Sequence, residues 1–170
     1  MGWVILELWF PVVSGFFNVM RRSLILLFCL SCVFSGEAAT ARINKVLPHY
    51  VDLQGRHTLS PSLFDRDAYQ AVLRDHPEQR SAIRFDVDWK SKDKPSEPLK
   101  IRVEIRGVAT EKAPVQVTLE KNLEPTGWLG RWTSLTVKGE DYRKLGEVTA
   151  WRVTLWEGNR LLSEQKSFLW

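Results

Sequence analysis

The stretch Val148–Trp170, VTAWRVTLWEGNRLLSEQKSFLW, decides how the rest of the chain is read. Two β-prone runs flank Gly158-Asn159, and a Gly-Asn pair in that setting marks a two-residue hairpin turn, because glycine accepts the positive φ it requires. Val148, Trp151, Val153, Leu155 and Trp156 precede the turn; Leu161, Leu162, Phe168, Leu169 and Trp170 follow it. A lone hairpin buries little, so this much apolar surface calls for further strands to cover it. Counting out from the turn pairs Trp156 with Leu161 and Leu155 with Leu162. The same register then sets Val153 opposite Glu164 and Trp151 opposite Lys166, mixing core and surface on one face. A β-bulge within Ser163–Gln165 is expected to resolve the conflict. It would bring Ser167 and Leu169 beside Trp151 and Val153 and leave Trp156, Phe168 and Trp170 on the opposite face, where they form a candidate contact surface if solvent reaches them.

Strand patterning continues upstream. In Ser81–Lys90, Ile83, Phe85, Val87 and Trp89 alternate with Arg84, Asp86, Asp88 and Lys90. In Leu99–Val108, Leu99, Ile101, Val103 and Ile105 alternate with Lys100, Arg102, Glu104 and Arg106. Both are half-buried antiparallel strands by pattern, with Trp89, like Trp151, on an inward face. Val46–Leu53 reads as a first strand whose Pro48 places it at an edge or bulge. Val115, Val117 and Leu119 mark a short strand, and Trp128–Val137 another, after the turn Pro125-Thr126-Gly127. Ser60-Pro61 opens a helix that Pro77 ends, with Phe64, Ala68, Ala71 and Val72 on its expected buried face. Lys138–Glu147 is a charged corner with room for a helical turn over Glu140–Leu145. The pattern predicts an all-β domain of seven antiparallel strands in two sheets, with one short helix between the first two strands.

The first forty residues have a different character. Met20-Arg21-Arg22, the apolar run Leu24–Phe34 and the small residues ending in Ala39-Thr40-Ala41 follow the order of a secretory signal peptide. Cleavage is expected before Arg42, with Gly36-Glu37-Ala38 as a second acceptable site. Residues 1–19 then read as an over-long start or an extra apolar segment, 20–41 as the signal peptide and 42–170 as the exported domain. Two membrane spans, 2–19 and 23–34, are the alternative, but the second run is short of the roughly 20 residues a spanning helix needs. Leu30-Ser31-Cys32 also allows lipidation of Cys32, although Cys29 stands where that pattern wants leucine.

The chain carries 24 basic and 20 acidic residues, net +4, and removing residues 1–41 leaves that balance unchanged. The charges alternate in sign along the chain and form no block, which argues against nucleic acid. Cys29 and Cys32 are its only cysteines, so the exported domain has neither disulfide nor thiolate ligand.

With seven strands and a closing Trp-Arg-Val-Thr-Leu-Trp…Ser-Phe-Leu-Trp hairpin, residues 44–170 resemble an immunoglobulin or fibronectin type III sandwich, as in uncharacterised secreted bacterial proteins. The resemblance implies an immunoglobulin-like fold and brings no catalytic residue. The Cys…Trp…Cys spacing of true immunoglobulin domains is missing.

The polar constellations are sparse. His49, His57 and His76 have no ligand-like spacing and are expected at the surface or at caps. Asp86 and Asp88 share a strand face, a geometry open to calcium, but are expected to pair across strands with Lys100, Arg102 or Arg106. There is no G-x-S-x-G elbow, phosphate loop or dinucleotide fingerprint. The expected function is therefore a non-enzymatic exported module, with no cofactor and no metal. Its partner would be a protein or another component of the cell envelope, met in the periplasm, at the cell surface or outside the cell. Membrane contact is expected only through the N-terminal segment before cleavage. The candidate contact residues are Trp128, Trp132, Trp156, Phe168 and Trp170. A carbohydrate stacked on Trp128 and Trp132, which flank a glycine-rich turn, is the second reading, and an unfamiliar enzyme trails both.

Overall fold

The computed structural model describes residues 41–91, 95–109, 113–124 and 130–170. Along the chain come β1 (Ala41–Asp52), α1 (Leu63–Asp75), a 3₁₀ turn (Pro77–Gln79), β2 (Arg80–Ser91), β3 (Leu99–Val108), β4 (Pro114–Leu123), β5 (Arg131–Lys138), α2 (Gly139–Leu145), β6 (Glu147–Glu157) and β7 (Arg160–Lys166). The strands form two antiparallel sheets, β1-β2-β5 and β4-β3-β6-β7. This is a two-sheet sandwich consistent with an immunoglobulin-like arrangement in which the fourth strand joins the sheet of the third, sixth and seventh.

Alternation explains the core. Ile83, Phe85, Val87 and Trp89 of β2, Leu99, Ile101, Val103 and Ile105 of β3, and Val153 and Leu155 of β6 are all buried in one cluster. Thr133 makes the bulkiest of them compatible with burial: the Trp89 indole Nε1 donates to its hydroxyl at 2.9 Å, so no polar atom of the ring is left unpaired. Trp151 also faces inward, edge-on to Phe85 with ring centroids 6.0 Å apart, but it is only half-buried.

Several expectations need correction. β1 starts at Ala41, ahead of the expected Val46, because Asn44 is an extra residue in a bulge between Ile43 and Lys45. The bulge breaks the alternation of Ala41, Ile43 and Val46, so the strand is hidden from a period-two search. β2 and β3, consecutive in sequence, lie in different sheets, so no cross-strand ion pair joins Asp86 or Asp88 to Lys100, Arg102 or Arg106. The hairpin bulge falls at Leu162, between the pairs Trp156–Leu161 and Leu155–Ser163, and not within Ser163–Gln165 beyond it. It does bring Ser167 beside Trp151, whose backbone N–H donates to the Ser167 hydroxyl at 3.0 Å. β7 then stops at Lys166, and Leu169 is an exposed turn residue, not a strand neighbour of Val153.

α1 is capped by Ser62, whose hydroxyl accepts from the Asp65 N–H at 3.4 Å. At its other end the buried Arg80 guanidinium donates to the carbonyls of Leu73 and Arg74, two of the acceptors a helix end leaves free. The buried side of α1 is Gln70 and Leu73, while Phe64, Ala68, Ala71 and Val72 face solvent. The reason is polar. The Gln70 side-chain amide accepts from Tyr50 N–H at 2.8 Å and donates to the carbonyls of Tyr50 and His57, each at 2.8 Å. It thus fills the position of a missing neighbour strand on the free edge of β1. Farther along that edge, Ser163 accepts from Ile43 N–H at 3.2 Å and Gln165 donates to the Asn44 carbonyl at 3.1 Å. Side chains thus occupy this edge near both ends of β1, which obstructs pairing with a foreign strand.

Candidate functional site

The outer face of the four-stranded sheet is where aromatic and basic side chains converge. The β3–β6 register sets Lys100 opposite Trp156, Arg102 opposite Thr154 and Glu104 opposite Arg152, all on the side away from the core. Glu120 of β4 receives Lys100 at 3.0 Å and Arg102 at 2.6 Å. Hydrogen bonds from Lys100 and then Arg102 lower the pKa of its carboxyl. The Arg102 guanidinium lies 5.4 Å from the centre of the Trp156 ring, whose Nε1 donates to the Thr154 hydroxyl at 2.8 Å. Arg152 binds Glu104 at 2.7 Å and reaches Glu164 at 3.8 Å, while Lys166 pairs with Glu164 at 3.2 Å. Trp170 closes the lattice, with the Arg106 guanidinium 3.9 Å and that of Arg152 4.8 Å from its ring centre. Each such cation–π contact contributes about 0.5–1 kcal/mol at an exposed site.

The bulge at Leu162 fits this arrangement. Beyond it β7 pairs Arg152 with Lys166, and a last turn, in which Trp170 N–H donates to the Ser167 carbonyl at 3.2 Å, brings Trp170 to Arg106 and Arg152. Trp156 and Trp170 therefore share one face, both half-buried. Phe168 is wholly exposed in the turn. Trp132 is 53% exposed but lies opposite Asp88 on the outer face of the other sheet. Trp128 and the turn Pro125-Thr126-Gly127 lie outside the described residues. The described candidate tryptophans, Trp132 on one side and Trp156 and Trp170 on the other, are thus divided between opposite sides of the sandwich. Arg152, which the sequence reading passed over, joins them; its signal was its place among the outward residues of the closing hairpin.

A second polar cluster occupies the outer face of the three-stranded sheet. His49, expected at the surface, is buried, its Nε2 3.9 Å from Asp86 and its ring 5.5 Å from that of His57. The cause is its position on β1 opposite Arg84 of β2, with the segment carrying His57 folded over it. Burial lowers the pKa of His49, aided by Arg66, His57 and Arg84 against the opposing pull of Asp86; His57 is lowered the same way, by burial first and then Arg84. Asp86 is held by Arg84 at 2.8 Å and by the Ser134 hydroxyl, and Asp88 takes the Asn44 amide at 3.3 Å. The order Ser134–Asp86–His49 puts the carboxylate in the middle, whereas a nucleophilic serine needs the imidazole there.

The third feature is an open depression of about 700 Å³ between Leu53, Pro77, Arg80, Lys138, Tyr142 and Glu147. Arg80 at its floor is already occupied by α1 and by Glu147 at 3.2 Å, and lies 4.1 Å from the centre of the Tyr50 ring. Among the described residues no group of His, Cys, Asp and Glu is arranged to hold a metal ion, and no helix is long and apolar enough to cross a membrane.

No family model and no curated protein matches the chain. Among solved structures it is similar to an immunoglobulin-like protein from Pseudomonas aeruginosa, with 15% identity and a TM-score of 0.32 over 77% of this chain and 97% of that one. The sandwich description rests on the strand pairing itself.

Proposed function

We propose that the chain is an exported, non-enzymatic immunoglobulin-like module that binds a protein component of the cell envelope through the outer face of its four-stranded sheet. The observation that carries this reading is the lattice in which Trp156 and Trp170 lie against Arg102, Arg106 and Arg152. Tryptophan and arginine are the residue types that dominate binding energy at protein interfaces. The lattice also favours a protein over a sugar, because a sugar stacks on a bare indole face and here guanidinium groups lie against both rings. Glu120 holds Arg102, and Glu104 and Glu164 hold Arg152, in fixed directions, which lowers the entropy lost when a partner docks.

The test is capture of partners from the native envelope fraction by the wild-type protein and by Trp170→Ala and Arg106→Ala variants. Both substitutions should weaken capture of the same partner at least about tenfold, while urea unfolding shows only the loss of about 1–2 kcal/mol expected for one or two exposed cation–π contacts. Equal capture by all three proteins would move the site elsewhere. The carbohydrate reading keeps one supporting observation, the exposed Trp132. Glycan binding that is lost in Trp132→Ala and intact in Trp170→Ala would favour it.

A further inference from the structure

The chain between β1 and the middle of α1 lies over the outer face of the three-stranded sheet, and little fastens its centre. None of residues 57–65 is buried. Apart from the ladder of α1 itself, one hydrogen bond among the described residues ties this stretch to the rest of the chain: the His57 carbonyl accepts from Gln70 at 2.8 Å. The side-chain bonds of Thr58, Ser60 and Ser62 stay within the stretch. Both flanks are firm. The Asp52 carboxylate accepts from the N–H groups of Gln54 and Arg56 at 2.9 and 2.7 Å and from the Tyr69 hydroxyl at 2.6 Å, and Gln70 and Leu73 are buried. A segment held at both ends with no buried side chain between them is one that opens locally. Beneath it is an imidazole pair. His49 is buried, and its ring lies 5.5 Å from that of His57. Neither ring has a hydrogen-bond partner among the described residues.

We propose that residues 57–65 form an acid-released flap: protonation of His49 and His57 drives the stretch off the sheet, while Asp52 and Gln70 keep hold of its two ends. Neutral imidazoles pack side by side at little cost. Two imidazolium ions would face each other across the same gap. The charged groups around them are Arg84 and Asp86 of β2 and Arg66 of α1. Arg56, next to His57, is engaged with Asp52 at 2.9 Å, and β5 adds only the neutral Ser134 opposite Asp86. Asp86 is therefore the one counter-charge. Its Oδ1 already takes Arg84 and Ser134. Its Oδ2, 3.9 Å from His49 Nε2, can answer one imidazolium but not two. The proton on His57 is the unanswered one, and His57 sits on the segment that is free to leave. Leaving gives both rings to water and breaks a single hydrogen bond to the flap. Burial lowers the pKa of both rings below 6.5, so the open form takes up protons first as pH falls. Each histidine then shifts the balance toward opening by up to about tenfold per pH unit. Asp52, with a pKa of about 2, stays ionised through this range, so the anchor outlasts the release. The opened surface presents His49, His57, Arg66 and Arg84 as a cationic patch. It lies on the other sheet from the Trp–Arg lattice and stands independently of the function proposed above.

Solution NMR of the purified protein tests it. At about pH 7.5 the ring protons of His49 and His57 should show a mutual nuclear Overhauser effect; at about pH 5 it should be lost, and the backbone order of residues 57–65 should fall. The Tyr50 amide, held by Gln70, and the Phe85 amide in the core should stay protected from exchange throughout. Both imidazoles should titrate below 6.5. His57→Gln keeps the backbone carbonyl that Gln70 holds but takes up no proton, so its flap should stay ordered at about pH 5. His49→Gln should need a lower pH than the wild type to lose that order. A ring contact that persists at about pH 5, a His57→Gln flap released as readily as the wild type, or an imidazole titrating above 6.5 would each overturn the proposal. So would loss of Phe85 protection together with the flap, because acid would then be unfolding the sandwich as a whole.

Discussion

Trp89 shows how much one side chain does in this molecule. It is 1% exposed, and its indole nitrogen is satisfied by Thr133 at 2.9 Å, so truncation to alanine both opens a cavity and leaves the buried Thr133 hydroxyl without that partner. The expected cost is about 3–5 kcal/mol, read as a lower urea midpoint at constant slope. A loss under about 1 kcal/mol would contradict the packing described. Trp151, half-buried at the rim, should cost less. Both were legible as inward-facing from alternation. Their different burial was not, because alternation reports the face and not the distance from the end of the sheet. His49 was illegible for the complementary reason: a polar residue on an outward face is buried here only because α1 and the segment before it fold back over the sheet.

For an element, the instructive case is α1 and the β1 edge it protects. Gln70→Ala leaves the Tyr50 N–H, the Tyr50 carbonyl and the His57 carbonyl without the partner they have now. A cost of about 2–3 kcal/mol is expected, since each group left unpaired on burial costs about 1–3 kcal/mol and water reaches some of them. Amide exchange at Tyr50 should accelerate, and the variant should aggregate more readily through the uncovered edge. Unchanged protection of the Tyr50 amide would mean that the helix does not hold the strand. The apolar periodicity of α1 correctly marked a helix ahead of Pro77, but that helix is capped by Ser62 and does not open at Ser60-Pro61, and the periodicity pointed to the wrong buried face. One side-chain amide that completes a strand edge has outweighed a stripe of small apolar groups.

Across the whole molecule, stability should fall on acidification in two stages. His49 and His57 have folded pKa values below the ordinary 6.5, chiefly through burial. A depressed pKa favours the neutral form in the folded state, so their contribution is complete above 6.5 and is lost as pH falls below it, when the unfolded chain takes up protons first. Asp52 gives the second stage. Burial would raise its pKa, but hydrogen bonds from Tyr69 and Arg56 prevail and hold it at about 2, against an ordinary 3.8. Its contribution is complete above 3.8 and is lost as pH falls toward 2. Urea melts over this range should show the first loss reduced in His49→Gln and the second reduced in Asp52→Asn. Stability that rises on acidification from neutrality toward the lower His pKa would contradict the buried histidine pair.

What the sequence determined by itself is local and periodic. The strands β2, β3 and β6 follow from alternation, and the last hairpin follows from Gly158, whose φ of 54° is what such a turn demands. The need for a bulge followed from a register conflict visible on paper, although its place at Leu162 did not. The tertiary structure alone decided what is non-local. It sent β2 and β3 to different sheets, turned α1 so that Gln70 and Leu73 face inward, gave Asp86 to Arg84 and Ser134, and set Trp156 and Trp170 against arginines from two strands. The physical reason is the same in each case. A two-residue period fixes which way a side chain points relative to its own strand, but the partner it meets depends on the backbone hydrogen bonds and buried polar groups of segments far away in the chain.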